Sequence, residues 1–132
     1  MKILTILFCL SVPLMAADKK PATKEESAKA IEAAIRKAAK KPTGELTKAD
    51  LEKVTELDLR YKQLTSVTEL EKLTQLTYLV LEKNQLTDVK GLEKLTQLRL
   101  LNLAFNPDLT KTQIAELRKA LPKCKIVNNA KN

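Results

Sequence analysis

The sequence predicts an α/β fold: a short solenoid, or horseshoe, of similar coils with a parallel sheet on its concave face. A helical cap is expected at the N-terminal end and a helix-strand cap at the C-terminal end. Three observations predict this. The heptapeptide Leu-Glu-Lys-Leu-Thr-Gln-Leu at 70–76 returns unchanged at 92–98, a shift of 22 residues. The tripeptide Gln-Leu-Thr at 63–65 returns at 85–87 with the same shift. Leucines follow it in register, as Leu51, Leu73 and Leu95, then Leu57, Leu79 and Leu101, then Leu59, Leu81 and Leu103. A fixed period of this length marks units that cannot bury their apolar faces alone and must stack to do so.

The 132 residues suffice for one domain, and 44% hydrophobic with 30% charged residues is enough apolar material for a folded core. With only four aromatic residues and no Trp, that core must be packed from leucine. The unit reads L-x-x-L-x-L-x-x-N-x-L, complete as Leu76, Leu79, Leu81, Asn84 and Leu86. In Leu79-Val80-Leu81 the period-2 alternation predicts a short strand with its leucines inward and Val80 outward. Asn84 then turns the chain inward, its amide satisfying backbone groups that the bend strips of ladder partners. Leu86, Val89 and Leu92 cover the far side. The coils divide as 51–72, 73–94 and 95–116, with a truncated unit at 117–129, after a basic tail and helical cap at 18–50 and before a tail at 130–132. A shift of 23 continues the series, taking Leu98 to Leu121, Leu101 to Cys124, Leu103 to Ile126 and Asn106 to Asn129, with one inserted residue near Pro107.

Residues 1–17 have the form of a cleaved secretory signal: Lys2, an apolar stretch at 3–12, then Pro13 and Leu14-Met15-Ala16-Ala17. The apolar run is shorter than the roughly 20 residues that span a bilayer, so no transmembrane segment is expected after cleavage. The mature chain would be secreted or periplasmic and monomeric. Its single cysteine, Cys124, falls in a leucine column, which predicts a buried structural thiol.

Each cap has a helix signature. Thr23-Lys24-Glu25-Glu26 is a capping-box pattern, followed by Ala28, Ile31, Ala34, Ile35 and Ala38 on one helix face. Thr110-Lys111-Thr112-Gln113 is a second box, opening a helix with Ile114, Leu117 and Leu121 inward before Pro122 ends it. Residues 125–127 form a closing strand.

On these residues the segment 46–129 resembles the 22-residue, internalin-like class of bacterial leucine-rich repeat proteins. Residues 32–62, with a helix, the Lys41-Pro42-Thr43-Gly44 break and Leu46-Thr47-Lys48-Ala49-Asp50-Leu51, are similar to the helical caps that precede such repeats. The resemblance implies a curved solenoid whose concave strand face binds other proteins. Two departures stand out: Lys62 replaces the turn Asn of the first repeat, and so few repeats leave little curvature.

The inventory argues against catalysis. With no His in the chain, no serine-base pair or His-containing metal cluster can be assembled, and the two glycines, Gly44 and Gly91, stand alone rather than in a phosphate loop. No catalytic residue, metal or cofactor is expected. Glu56 and Asp58 share a strand face but are flanked by Arg60, which reads as a solvated surface.

The strand register instead predicts a protein-binding face in four columns: Glu56, Tyr78 and Leu100; Asp58, Val80 and Asn102; Arg60, Glu82 and Ala104; Tyr61, Lys83 and Phe105. Within it Tyr61, Tyr78, Val80, Leu100 and Phe105 make an apolar patch of the kind that marks an interaction surface. An unidentified protein partner is therefore expected. Charge offers the rival reading. Bases and acids number 9 and 6 over 18–50, 8 and 9 over 51–109, and 6 and 1 over 110–132. Basic ends suit attachment to an anionic envelope or polysaccharide. Nucleic acid is not expected, since arginine and aromatic residues do not interleave there.

Overall fold

The computed structural model describes residues 20–129. The signal segment at 1–17 and the tail at 130–132 lie outside the described residues. Two helices open the chain, α1 (Lys24–Ala39) and α2 (Lys48–Glu52), followed by strands β1 (Glu56–Asp58), β2 (Tyr78–Val80) and β3 (Leu100–Asn102), helix α3 (Lys111–Ala120) and strand β4 (Lys125–Val127). Short 3-10 turns at Thr68–Lys72 and Leu92–Lys94 connect the strands on the opposite side. The four strands form one parallel sheet in the order β1-β2-β3-β4, so each coil lies beside its sequence neighbours.

The leucine columns form the core. Leu57, Leu79 and Leu101 are register partners across the sheet. With Leu59, Leu81 and Leu103 they are buried, as are Leu64 and Leu86, Leu70 and Leu92, Leu73 and Leu95, and Leu76 and Leu98. Burying one such side chain contributes about 1.5–3 kcal/mol, so the column supplies most of the drive to stack. Coil-to-coil hydrogen bonds run well beyond the three-residue strands: Thr77 N donates to Thr55 O at 2.7 Å and Gln85 N to Leu64 O at 2.9 Å.

Buried asparagines join the coils where the ladder stops. Asn84 Nδ2 donates to Leu59 O and Leu81 O, both at 2.9 Å, while its Oδ1 accepts from Lys62 N and Leu64 N, both at 3.0 Å. Asn106 repeats this one coil later, donating to Leu81 O at 2.9 Å and Leu103 O at 3.0 Å and accepting from Leu86 N at 3.2 Å. Each asparagine therefore serves its own coil and the one before it. This explains Lys62. The first coil follows a helical cap rather than another coil, so no earlier turn needs an asparagine there, and its own N–H groups are met by Asn84.

The N-terminal cap closes that end. Thr23 and Glu26 form the expected reciprocal capping box, as do Thr110 and Gln113 of α3; Thr47 and Asp50 form another at α2. The buried stripe of α1 is Ser27, Ile31, Ile35 and Ala39. Ala38, expected inward, is exposed, because the i, i+4 spacing from Ile31 and Ile35 reaches Ala39 and leaves Ala38 about 100° away. Ser27 joins the stripe because its hydroxyl accepts from Thr65 N at 3.1 Å.

The last strand also differs from expectation. Leu101 pairs with Ile126, Leu100 with Lys125 and Asn102 with Val127, a shift of 25 rather than 23. Cys124 is thus not in the leucine column; Ile126 is. The cause is α3: a ten-residue α-helix rises only about 1.5 Å per residue. It therefore needs more chain to return to the sheet than the 3-10 turns of the earlier coils. Cys124 is half-buried and unpaired, not fully buried, and burial raises its thiol pKa above the ordinary value.

Candidate binding face

The register aligns the outward positions in rows across the sheet: Glu56, Tyr78, Leu100 and Lys125, then Asp58, Val80, Asn102 and Val127. Lys125 and Val127 face outward under either shift, but the 25-residue shift sets them beside Leu100 and Asn102 rather than beside Asn102 and Ala104. Tyr78 is 43% exposed, and Leu100, Val80 and Asn102 are half-buried between their neighbours.

Polar residues here are mostly engaged with one another. Arg60 Nε and Nη2 grip the Asp58 carboxylate, the shortest contact being 2.6 Å. That pairing holds the Asp58 carboxyl below its usual range, Arg60 being the main cause. Asp58, beside Glu56 on the strand face, is thus held in a forked ion pair with Arg60. Asn102 Nδ2 donates to Glu82 Oε2 at 3.3 Å, and Asn102 Oδ1 accepts from Ala104 N at 3.0 Å. Asp58 makes the equivalent bond to Arg60 N at 3.1 Å, so the same strand exit recurs two coils apart.

Beyond the strands lies a regular feature of the face. Tyr61, Lys83 and Phe105 occupy one position in successive coils, each in the left-handed region with φ of 57–58°. Such a conformation is uncommon for bulky side chains. Here it turns the chain inward, at Lys83 and Phe105 directly into the buried Asn84 and Asn106, and leaves the side chain exposed. Lys83 Nζ lies 5.1 Å from the Tyr61 ring centroid and 5.4 Å from that of Phe105. The ammonium is thus held between two rings, within the range of cation–π attraction. The Tyr61 side chain, and more weakly Glu82, favour its charged form. Tyr61 is 58% exposed and Phe105 52%. Phe105 stands out from the surface rather than packing between turns.

On the opposite side, a groove of about 400 Å³ runs between α3 and the Leu92–Lys94 turn, lined by Val89, Glu93, Gln113, Glu116, Leu117 and Ala120. It joins segments far apart in sequence, and no spacing signal announced it. Among the described residues, no three His, Cys, Asp or Glu side chains come together to hold a metal. No helix there is long and apolar enough to cross a membrane.

Parallel strands, leucine columns and back-reaching asparagines define a short repeat solenoid with one open strand face. The family model described as leucine-rich repeats in two copies matches residues 52–93 and 74–119, just over half of the chain. The chain belongs to the leucine-rich repeat family. Its fold is similar to that of an internalin C2 from Listeria monocytogenes, with 23% identity, a TM-score of 0.54, and coverage of 78% of this chain and 56% of that one. Another Listeria monocytogenes internalin matches at 16% identity and a TM-score of 0.46, covering 82% of this chain and 45% of that one. The chain spans about half the length of these structures. No curated protein matches the sequence.

Proposed function

We propose that the protein is an exported module that binds another protein through its concave strand face, with no catalytic role. The carrying observation is the exposed ladder of Tyr61, Lys83 and Phe105 beside Tyr78 and Leu100. Aromatic side chains held in one geometry supply contact area at little entropic cost, and rings of this kind dominate the energetics of protein interfaces. The ladder is preorganised by the αL turns, so a partner does not have to order it.

The binding face comprises Glu56, Asp58, Arg60, Tyr61, Tyr78, Val80, Glu82, Lys83, Leu100, Asn102 and Phe105. The Asp58–Arg60 and Glu82–Asn102 pairs lie between Tyr78 and Leu100 on one side and the Tyr61–Lys83–Phe105 ladder on the other, and add polar contacts to the apolar ones. The absence of His from the sequence supports binding rather than hydrolysis. Export is supported by the form of residues 1–17, and a secreted or periplasmic protein partner follows from it.

The test is affinity capture from envelope and extracellular fractions with the wild type and the double variant Tyr78→Ser/Leu100→Ser. Tyr78 is exposed and Leu100 half-buried on the outward side of its strand, so the double variant should stay folded with a modest loss of melting temperature, which is measured alongside. The reading predicts a captured protein that the double variant loses. Equal capture by a correctly folded double variant refutes it.

A further inference from the structure

We propose that the C-terminal cap is a second docking surface, independent of the strand face, that adsorbs the protein onto anionic phospholipid bilayers.

The argument starts from how α3 distributes its charge. Ile114 and Leu117 of α3, with Leu121 just beyond it, are buried and mark its inward side. At about 100° per residue, Lys111, Ala115, Arg118 and Lys119 fall on one flank, and Gln113, Glu116 and Ala120 on the other. The second flank faces the preceding coils: Gln113 Nε2 donates to Thr87 O at 3.0 Å, and Glu116 and Ala120 line the groove against the Leu92–Lys94 turn. The basic flank therefore faces outward at the end of the solenoid. Lys123 follows directly after α3, and Lys111, Arg118, Lys119 and Lys123 are all exposed.

These bases differ from those elsewhere in the chain. Among the described residues every ion pair involves residues up to Lys94, as in Lys29–Glu25, Arg36–Glu32, Lys41–Asp50 and Lys94–Glu71. Among the described residues none of the four cap bases has an acidic partner within ion-pair distance. A one-sided field without compensating acids is an electrostatic footprint for an anion. Of the possible anions, a bilayer fits best. The patch is lysine-rich, its four bases are exposed and lie outside the groove beside α3, and no aromatic residue follows Phe105, so bases or sugars have no ring to stack on. Compact ammonium charges on flexible stems suit the diffuse potential of a headgroup layer, where each base near the surface strengthens partitioning about fivefold.

The experiment is co-sedimentation of the full chain with phosphatidylcholine vesicles containing 30% phosphatidylglycerol and with pure phosphatidylcholine vesicles. The readout is the difference between the two vesicle types, so the apolar stretch at 3–12, common to every variant, cancels. Binding to anionic vesicles at low salt should disappear in about 0.5 M salt, where the screening length falls to a few ångströms. Changing Lys111, Arg118, Lys119 and Lys123 together to Gln should weaken it several hundredfold. An equal charge change elsewhere, Lys24, Lys37, Lys48 and Lys90 to Gln, should leave most of it. Tyr78→Ser/Leu100→Ser should bind vesicles as the wild type does, which separates this proposal from concave-face capture. Equal loss in the two charge variants would reduce the effect to net charge and overturn the proposal. So would no preference for anionic vesicles, or tighter binding to heparin or duplex DNA than to those vesicles.

Discussion

Asn84 and Asn106 share an acceptor, and that sharing makes a quantitative prediction. Leu81 O receives Nδ2 of both side chains, each at 2.9 Å. Changing Asn84 to Leu, which keeps the branching but removes every polar atom, leaves buried Leu64 N and Leu59 O without the partners they have now. It also leaves the partly buried Lys62 N unpaired, while Leu81 O keeps Asn106. An unpaired buried group costs about 1–3 kcal/mol, so at the low end for each the loss is about 2–4 kcal/mol. Asn106→Leu orphans Leu103 O and Leu86 N and should cost slightly less. The double variant also strips Leu81 O of both donors, so its loss should exceed the sum of the two by about 1 kcal/mol or more. Urea unfolding reads this directly. With a slope of about 1.5 kcal/mol/M, the Asn84→Leu midpoint falls by about 1.5–2.5 M. Sulfate in the buffer keeps the double variant folded enough to measure. Additivity within about 0.5 kcal/mol, the usual behaviour of independent sites, would refute the shared-acceptor account. A loss below 1 kcal/mol for Asn84→Leu would refute the coil-joining role itself.

Two other predictions concern the backbone and pH. Gly91 has φ of 98° and its missing Cβ would sit 3.3 Å from Thr68 Cα in the preceding coil, whereas Gly44, at φ of 85°, faces only the Lys41 side-chain end at 3.6 Å. In thermal or urea unfolding Gly91→Ala should therefore cost about 1–3 kcal/mol and more than Gly44→Ala; equal costs would show that coil spacing there is slack. Asp50 Oδ2 accepts from Lys41 Nζ at 2.7 Å, Thr47 N at 2.9 Å and the Thr47 hydroxyl at 2.8 Å, and these bonds, Lys41 first, hold its folded pKa far below the ordinary value. As pH falls, the unfolded chain takes up this proton first, at about pH 3.9. Its stabilisation is therefore complete above about pH 5 and lost progressively below that. Asp50→Asn should lower the urea midpoint at pH 6 and shrink the drop between pH 6 and pH 3. An unchanged drop would mean that Asp58 and Glu26, also lowered, carry the acid limb.

The leucines could be read from spacing alone because a 22-residue period leaves one arrangement in which they all face inward. The capping boxes at Thr23 and Thr110 were legible for a similar reason: each is a local bond over three residues. Ala38 misled because Ala is nearly silent in a hydrophobic pattern, and only contact with the first coil selects Ala39. β4 misled because counting from Asn106 to Asn129 assumes that the last connection resembles the earlier ones, whereas an α-helix consumes more residues than a 3-10 turn. Of the face, the strand columns were visible, but the Lys83 sandwich was not. The 22-residue period already put Tyr61, Lys83 and Phe105 in one column, but only the left-handed turns bring the ammonium between the two rings.

What the sequence by itself determined is the stacking: periodic leucines with no other way to leave water, and an asparagine at each bend that must satisfy stranded amides. What only the tertiary structure decided is which surfaces remain open and what they carry. The partners of Asn84, the ring–cation–ring ladder, the register of β4 and the unpaired basic flank of α3 all depend on contacts 20 or more residues apart or on which helix face is covered. Such contacts follow from the path of the chain between the repeats, where the periodic pattern carries no instruction.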